Sequence, residues 1–268
     1  ETTGAEGDVR FYNSVKDTSL GASNIGGDIQ VLNTGSITTN GEIEVGGSLS
    51  LTAATGITFN DNVSAKGIVN IDADSDNDGG SDFTISANKT LDTNNNDLLI
   101  NANDLFLSGS IDSGTSSTTI SISDLGSIGI GDGKGDMSIS GSELQNIKAT
   151  DLVIGSSSNG SITIDNVTAS NSDNISGAVL LLTGADILIE GGASTFNALN
   201  LQADGGIVIT SDLTVDTGDF KAIANFDGVD LGSFELAEDA TLSSESDVSI
   251  QAEGIGVKGE IIAKGNIN

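Results

Sequence analysis

The stretch SLSLTAATGITFNDNVSAKGIVNIDA, residues 48–73, decides how the rest of the chain is read. It opens on the alternating run SLSLTA (48–53), passes a shorter run GITF (56–59) and closes on IVNIDA (68–73). In both long runs the apolar residues fall at every second position, the period of a strand with one buried face. Leu49 and Leu51 return as Val69 and Ile71 after 20 residues, and Gly, Asn and Asp cluster in the breaks between runs. A strand–turn–strand unit recurring at this interval is a repeat architecture, because one such unit has too little apolar surface to fold alone.

The same pattern runs outward in both directions. DIQV (28–31) and SITT (36–39) precede the stretch, and DLLINA (97–102), SIDS (110–113), TTISIS (118–123) and MSIS (137–140) follow it. SITI (161–164), VLLL (179–182), ILIE (187–190), LNLQA (199–203), FKAIA (220–224) and VSIQA (248–252) continue it. Leu199/Leu201 to Phe220/Ala222 is 21 residues and Ile120/Ile122 to Met137/Ile139 is 17. Ile71 to Ile100 is 29, so nine residues are inserted there, and the expected place is an acidic loop over 72–82.

The expected fold is therefore all-β, a right-handed parallel β-helix of roughly 20 residues per coil, with 1–268 forming one segment. Val, Ile and Leu would stack inward in ladders while Thr, Ser, Asp and Asn face water. About 13 coils spaced about 4.8 Å apart would span on the order of 60 Å. The absence of Pro fits, since each interior backbone N–H is needed by the next coil. A β-sandwich is the rival, and it fits poorly with so many short strands and so few aromatic residues. SELQNIKA (142–149) and FELAEDATL (234–242) could each form a helical turn, but their spacing favours coils carrying a bulge.

Composition narrows the function classes. Net charge is −30, from 39 acids against 9 bases, which disfavours nucleic acid and anionic membranes as partners. Disorder is disfavoured because 36% of the residues are hydrophobic and lie in short regular runs. There is no Cys, hence no disulfide framework, and no apolar stretch approaches the roughly 20 residues of a membrane helix. No basic-then-apolar signal segment opens the chain, and Glu1 in place of Met reads as a mature or excised piece.

Enzymes built on β-helices need a cleft with paired carboxylates or a cationic base and aromatic platforms for sugars. His, Cys and Trp are absent, Tyr12 is the sole Tyr, and the nine bases are scattered. Acid pairs such as Glu42/Glu44 and Asp227/Asp230 read as solvated strand faces, so the chain is not expected to be an enzyme. The glycine-rich IGIGDGKG (128–135) has no following helix to hold a phosphate. Thr-x-Thr does not recur coil after coil as an ice-binding face would require. The sequons at Asn62, Asn88, Asn159, Asn166 and Asn174 are expected by chance in so Asn-rich a chain.

The chemical candidate is calcium. Asp74, Asp76, Asp78 and Asp82 match D-x-D-x-D-G-x-x-D, with Gly79 free to make a sharp bend. Alternate acids on a loop converge hard oxygen ligands of the kind Ca²⁺ takes. The loop is not an EF-hand, because Ile85 occupies the twelfth position where a bidentate Glu belongs. A calcium-roll nonapeptide is matched loosely and once, around Gly131 to Ile139. The competing reading is a solvated acidic turn, and no cofactor is required by either.

The strings GDMSISGSELQNIKATDLVIGSSSNGSITIDNVTA (135–169) and NIDADSDNDGGSDFTI (70–85), with LLINANDLFLSGSIDSGT (98–115), resemble the repeat regions of filamentous-haemagglutinin-like exoproteins. The resemblance spans about Gly27 to Asn268 and lies in style and register, not in a catalytic motif. It implies a bacterial cell-surface or secreted, extracellular protein built as a β-helical shaft.

Both ends read as open coils, VKGEIIAKGNIN (257–268) at one and a strand over 8–15 at the other, and joined tail to head they make a plausible coil. The expectation is a structural shaft or filament segment whose partners are neighbouring copies or segments, end to end, with no membrane insertion. The alternative is an adhesin binding module that recognises a host or partner surface, which would show an exposed apolar patch.

Overall fold

The structure, a computed structural model, describes residues 7–13, 16–229 and 232–268. Ser14 and Val15 of the expected strand 8–15, Asp230 of the Asp227/Asp230 pair, Leu231 and residues 1–6 of the tail-to-head join lie outside the described residues.

The protein is nearly all β, and its strands pair in parallel with the strand one coil away, the geometry of a parallel β-helix. Contacts divide it into two compact units, Glu1–Asp124 with Asn146–Thr150, and Leu125–Gln145 with Asp151–Asn268. In the first unit each coil contributes to three sheets. Leu49–Ala53 stacks on Ile29–Asn33 below and Val69–Asp72 above, Ile57–Phe59 stacks on Ile37–Thr39, and Val63–Ala65 stacks on Ile43–Val45. The second unit repeats the plan, with Leu199–Ala203 between Val179–Thr183 and Phe220–Ala224, and with Ile207–Ile209 and Leu213–Val215 on its other two faces.

Register makes the core. Ile29, Leu49, Val69 and Leu98 align directly, as do Val31, Leu51, Ile71 and Ile100, and each of the eight is buried. The residues between them point out, so one-residue alternation in the sequence becomes an aliphatic column inside and a polar wall outside. Aromatic rings join the core from another face, Phe83 stacked over Ile57 and Phe59 beneath Ile85. Phe59 and Phe83, on adjacent coils, meet edge to face with centroids 5.1 Å apart.

The turns explain much of the acidity. Asp28 accepts the backbone N–H of Ser48 one coil above at 2.8 Å, and Asp186 does the same for Gly206 at 2.6 Å. The residue stacked over the carboxylate is glycine in both cases. A Cβ on Gly47 would lie 2.2 Å from Asp28 Oδ1, and one on Gly205 would lie 2.2 Å from Asp186 Oδ1. Asp in one coil and Gly in the next thus form a single device that satisfies turn N–H groups no strand reaches.

Three details differ from expectation. The nine inserted residues are not all in the acidic loop. Val69 to Phe83 takes 14 residues where Leu49 to Ile57 takes 8, Phe83 to Leu91 takes 8 where Ile57 to Val63 takes 6, and Leu91 to Leu98 takes 7 where Val63 to Val69 takes 6. Asn88, Asn94 and Asn95 absorb the two smaller insertions at positive φ, 62°, 51° and 64°. The 17-residue spacing from Ile120 to Met137 is not a coil either, because Met137–Ile139 pairs with Ile128–Gly131, a strand of a different face from Thr118–Ile122. Finally, Gly141–Gln145 is a short helix and not a bulged coil. Ser140 and Glu143 close a capping box, Glu143 Oε2 accepting from Ser140 N at 2.9 Å and Ser140 Oγ from Glu143 N at 3.3 Å. The other ambiguous segment does form strands, Ser233–Leu236 and Thr241–Ser244.

Candidate cation site in the acidic excursion

Within the first unit the excursion leaves the stacked strands after Val69–Asp72 and returns at Phe83–Ile85. Its base is held by the wall it leaves. Ser75 N donates to Ala53 O at 3.0 Å on the coil below, and the buried Ser81 donates its hydroxyl to Ala54 O at 2.9 Å. Asn77, at φ 52°, and Gly79, at φ 78°, turn the chain back on itself. With its amide nitrogen turned inward, Asn77 donates to the carbonyl oxygens of Ser123 at 2.8 Å and Asp74 at 3.3 Å. The loop thereby lies along the wall and reaches Ser123, two coils further on.

Asp74, Asp76 and Asp78 come together, each placing a carboxylate oxygen within 4.8 Å of the other two. They are not equivalent. Asp76 and Asp78 are exposed, whereas Asp74 has no accessible surface. Asp74 Oδ2 accepts from Ser123 Oγ at 2.5 Å and from Gly79 N at 3.3 Å, and its Oδ1 is buried without a hydrogen-bond partner. The fourth expected residue, Asp82, is placed apart from this trio. Its carboxylate accepts from Asn103 Nδ2 at 3.3 Å, and its carbonyl receives Ile57 N at 3.0 Å as part of the coil.

Burial pushes the Asp72 carboxyl above the usual carboxylate range. A hydrogen bond from Asn101 opposes the rise and the Asp74 charge adds to it. Asp124 lies on the far side, with Oδ2 3.3 Å from where a Gly79 Cβ would be. The spacing of the aspartates made the trio visible in the sequence. Ser123, Asp124 and Asn77 carried no such signal, because their nearness depends on coil stacking and a loop that climbs two coils.

Comparison of the chain with protein-family models, curated proteins and solved structures finds no match.

Proposed function

We propose that this chain is a shaft segment of a bacterial cell-surface or secreted fibre, and that copies join end to end. The observation that carries the reading is the in-register stacking of aliphatic columns within each unit, considered with the charge and exposure of the first and last described strands. The walls hold nearly all of the negative charge. In the sequence, residues 1–25 carry Glu1, Glu6, Asp8 and Asp17 against Arg10 and Lys16, a net −2, while residues 254–268 carry Lys258, Glu260 and Lys264, a net +1, in a chain of net −30. The two termini thus carry net charges of opposite sign, which does not oppose end-on contact as like-charged walls would oppose side-by-side contact.

The first and last described strands carry core-type residues that are solvent-exposed. Among the described residues Val9–Asn13 has a paired strand on one side, Phe11 is 45% exposed, and a cavity of about 210 Å³ opens among Val9, Phe11, Leu20 and Ile25. Ile255 (55% exposed) and Val257 occupy inward positions above Phe234 and Leu236, and Ile267 (57%) bridges to Val248. An open strand edge beside apolar columns is the surface on which another coil adds, with backbone hydrogen bonds and aliphatic burial acting together. The function is mechanical in this reading, with no catalytic step.

Sedimentation velocity over a hundredfold concentration range tests it. The mean sedimentation coefficient is expected to rise with concentration in the wild type. It is expected to stay at the monomer value in an Ile255→Asp/Val257→Asp variant whose circular dichroism is unchanged. A wild type that stays monomeric throughout would contradict the reading.

A further inference from the structure

We propose that Asp74, Asp76 and Asp78 bind one hard divalent cation of the calcium class, which fastens the excursion to the wall of the first unit. Clustered acids alone would not carry this, since exposed carboxylates commonly gather on so acidic a surface. The deciding feature is Asp74. Its side chain is fully buried, one oxygen is used by Ser123 and Gly79, and the other has no partner. Among the described residues no ion pair includes it. A buried carboxylate oxygen without a donor or counter-charge is strongly unfavourable, and a proton, a buried water or a cation relieves it.

The surroundings favour the cation. Asp76 and Asp78, both exposed, each place a carboxylate oxygen within 4.8 Å of one of Asp74's, which supplies further oxygen ligands on a side open to solvent. Like charges so close repel, and a shared divalent ion turns that repulsion into coordination. The donor set contains oxygen only, in a chain with neither His nor Cys, which points to a hard ion. Mutual separations within 4.8 Å let one ion hold all three oxygens. Mg²⁺ would draw the same oxygens to roughly 4 Å or less and prefers to keep its own waters. Asp82 is left out of the ligand set, because it is engaged with Asn103.

Isothermal titration of the metal-stripped full chain with CaCl₂, in 0.15 M KCl to screen the diffuse wall charge, tests the assignment. One saturable site per chain is expected, with Mg²⁺ at least tenfold weaker. Asp76→Asn/Asp78→Asn, both at exposed loop positions, is expected to weaken Ca²⁺ binding at least tenfold with circular dichroism unchanged, and Asp74→Asn to do the same. Asp82→Asn is expected to bind as the wild type does. No saturable heat, which is the outcome if Asp74 holds a proton instead, would overturn the proposal. So would equal binding by the Asp76/Asp78 variant, or an equal loss in Asp82→Asn. Should Asp74→Asn fail to fold, the contrast between the Asp76/Asp78 and Asp82 variants still decides.

Discussion

At the scale of single residues, the stacked Asp and Gly of the turns make the sharpest demand on the sequence. Asp28 Oδ1 holds Ser48 N at 2.8 Å and leaves no room for a side chain on Gly47. Gly47→Ala is therefore expected to destabilise the fold by about 1–3 kcal/mol through overpacking. The penalty should shrink in the Asp28→Ala background, because the clashing atom is gone. Urea unfolding of the two single variants and the double variant measures both effects. A Gly47→Ala variant within about 0.5 kcal/mol of wild type would show that the turn yields easily. This device was only half legible in the sequence. The abundance of Gly and Asp was plain, but their partnership joins residues 19 apart and needs the coil length before it can be seen. The same limit explains the acidic excursion. Asp74, Asp76 and Asp78 were legible from spacing, whereas the exclusion of Asp82 follows from its place at the start of the next strand.

At the scale of the coil, turn carboxylates and serine hydroxyls tie one coil to its neighbour. In the first unit the Asp97 carboxyl is held low by the Ser116 hydroxyl and then by Ser117 N, and the Asp17 carboxyl by Ser36 N. In the second, the Ser246 hydroxyl and Asp247 N hold the Asp219 carboxyl low. A carboxyl whose folded value is depressed contributes stability above its unfolded value, near 3.9, and loses it as pH falls through the lower folded value. Thermal unfolding midpoints are thus expected to drop below about pH 3.9, and Asp97→Asn to soften that drop. A midpoint that keeps rising down to pH 2 would contradict these bonds. Alternation and a 20-residue period made the regular coils legible, since both are properties of one chain segment. Irregular coils were less so. The helix Gly141–Gln145 depends on a local capping box that outcompetes strand formation, and the strand Met137–Ile139 belongs to a different face from the one its spacing suggested.

At the scale of the whole molecule, the contrast between a chain of net −30 and termini of small net charge bears on the assembly proposed above. Side-by-side association would bring wall charges together and should be suppressed at low salt, while end-on association should not. Two exposed large apolar side chains stand among polar neighbours, whereas Tyr12 and Leu32 adjoin one another in register. Leu99 has the polar register neighbours Asn70 and Thr119, and Phe106 lies beside Thr84. The most direct test is negative-stain imaging of the purified chain at rising concentration in low salt. Unbranched filaments of one width that lengthen with concentration, and vanish in the Ile255→Asp/Val257→Asp variant, are expected. Isolated particles of a single size at the highest concentration would contradict the shaft reading.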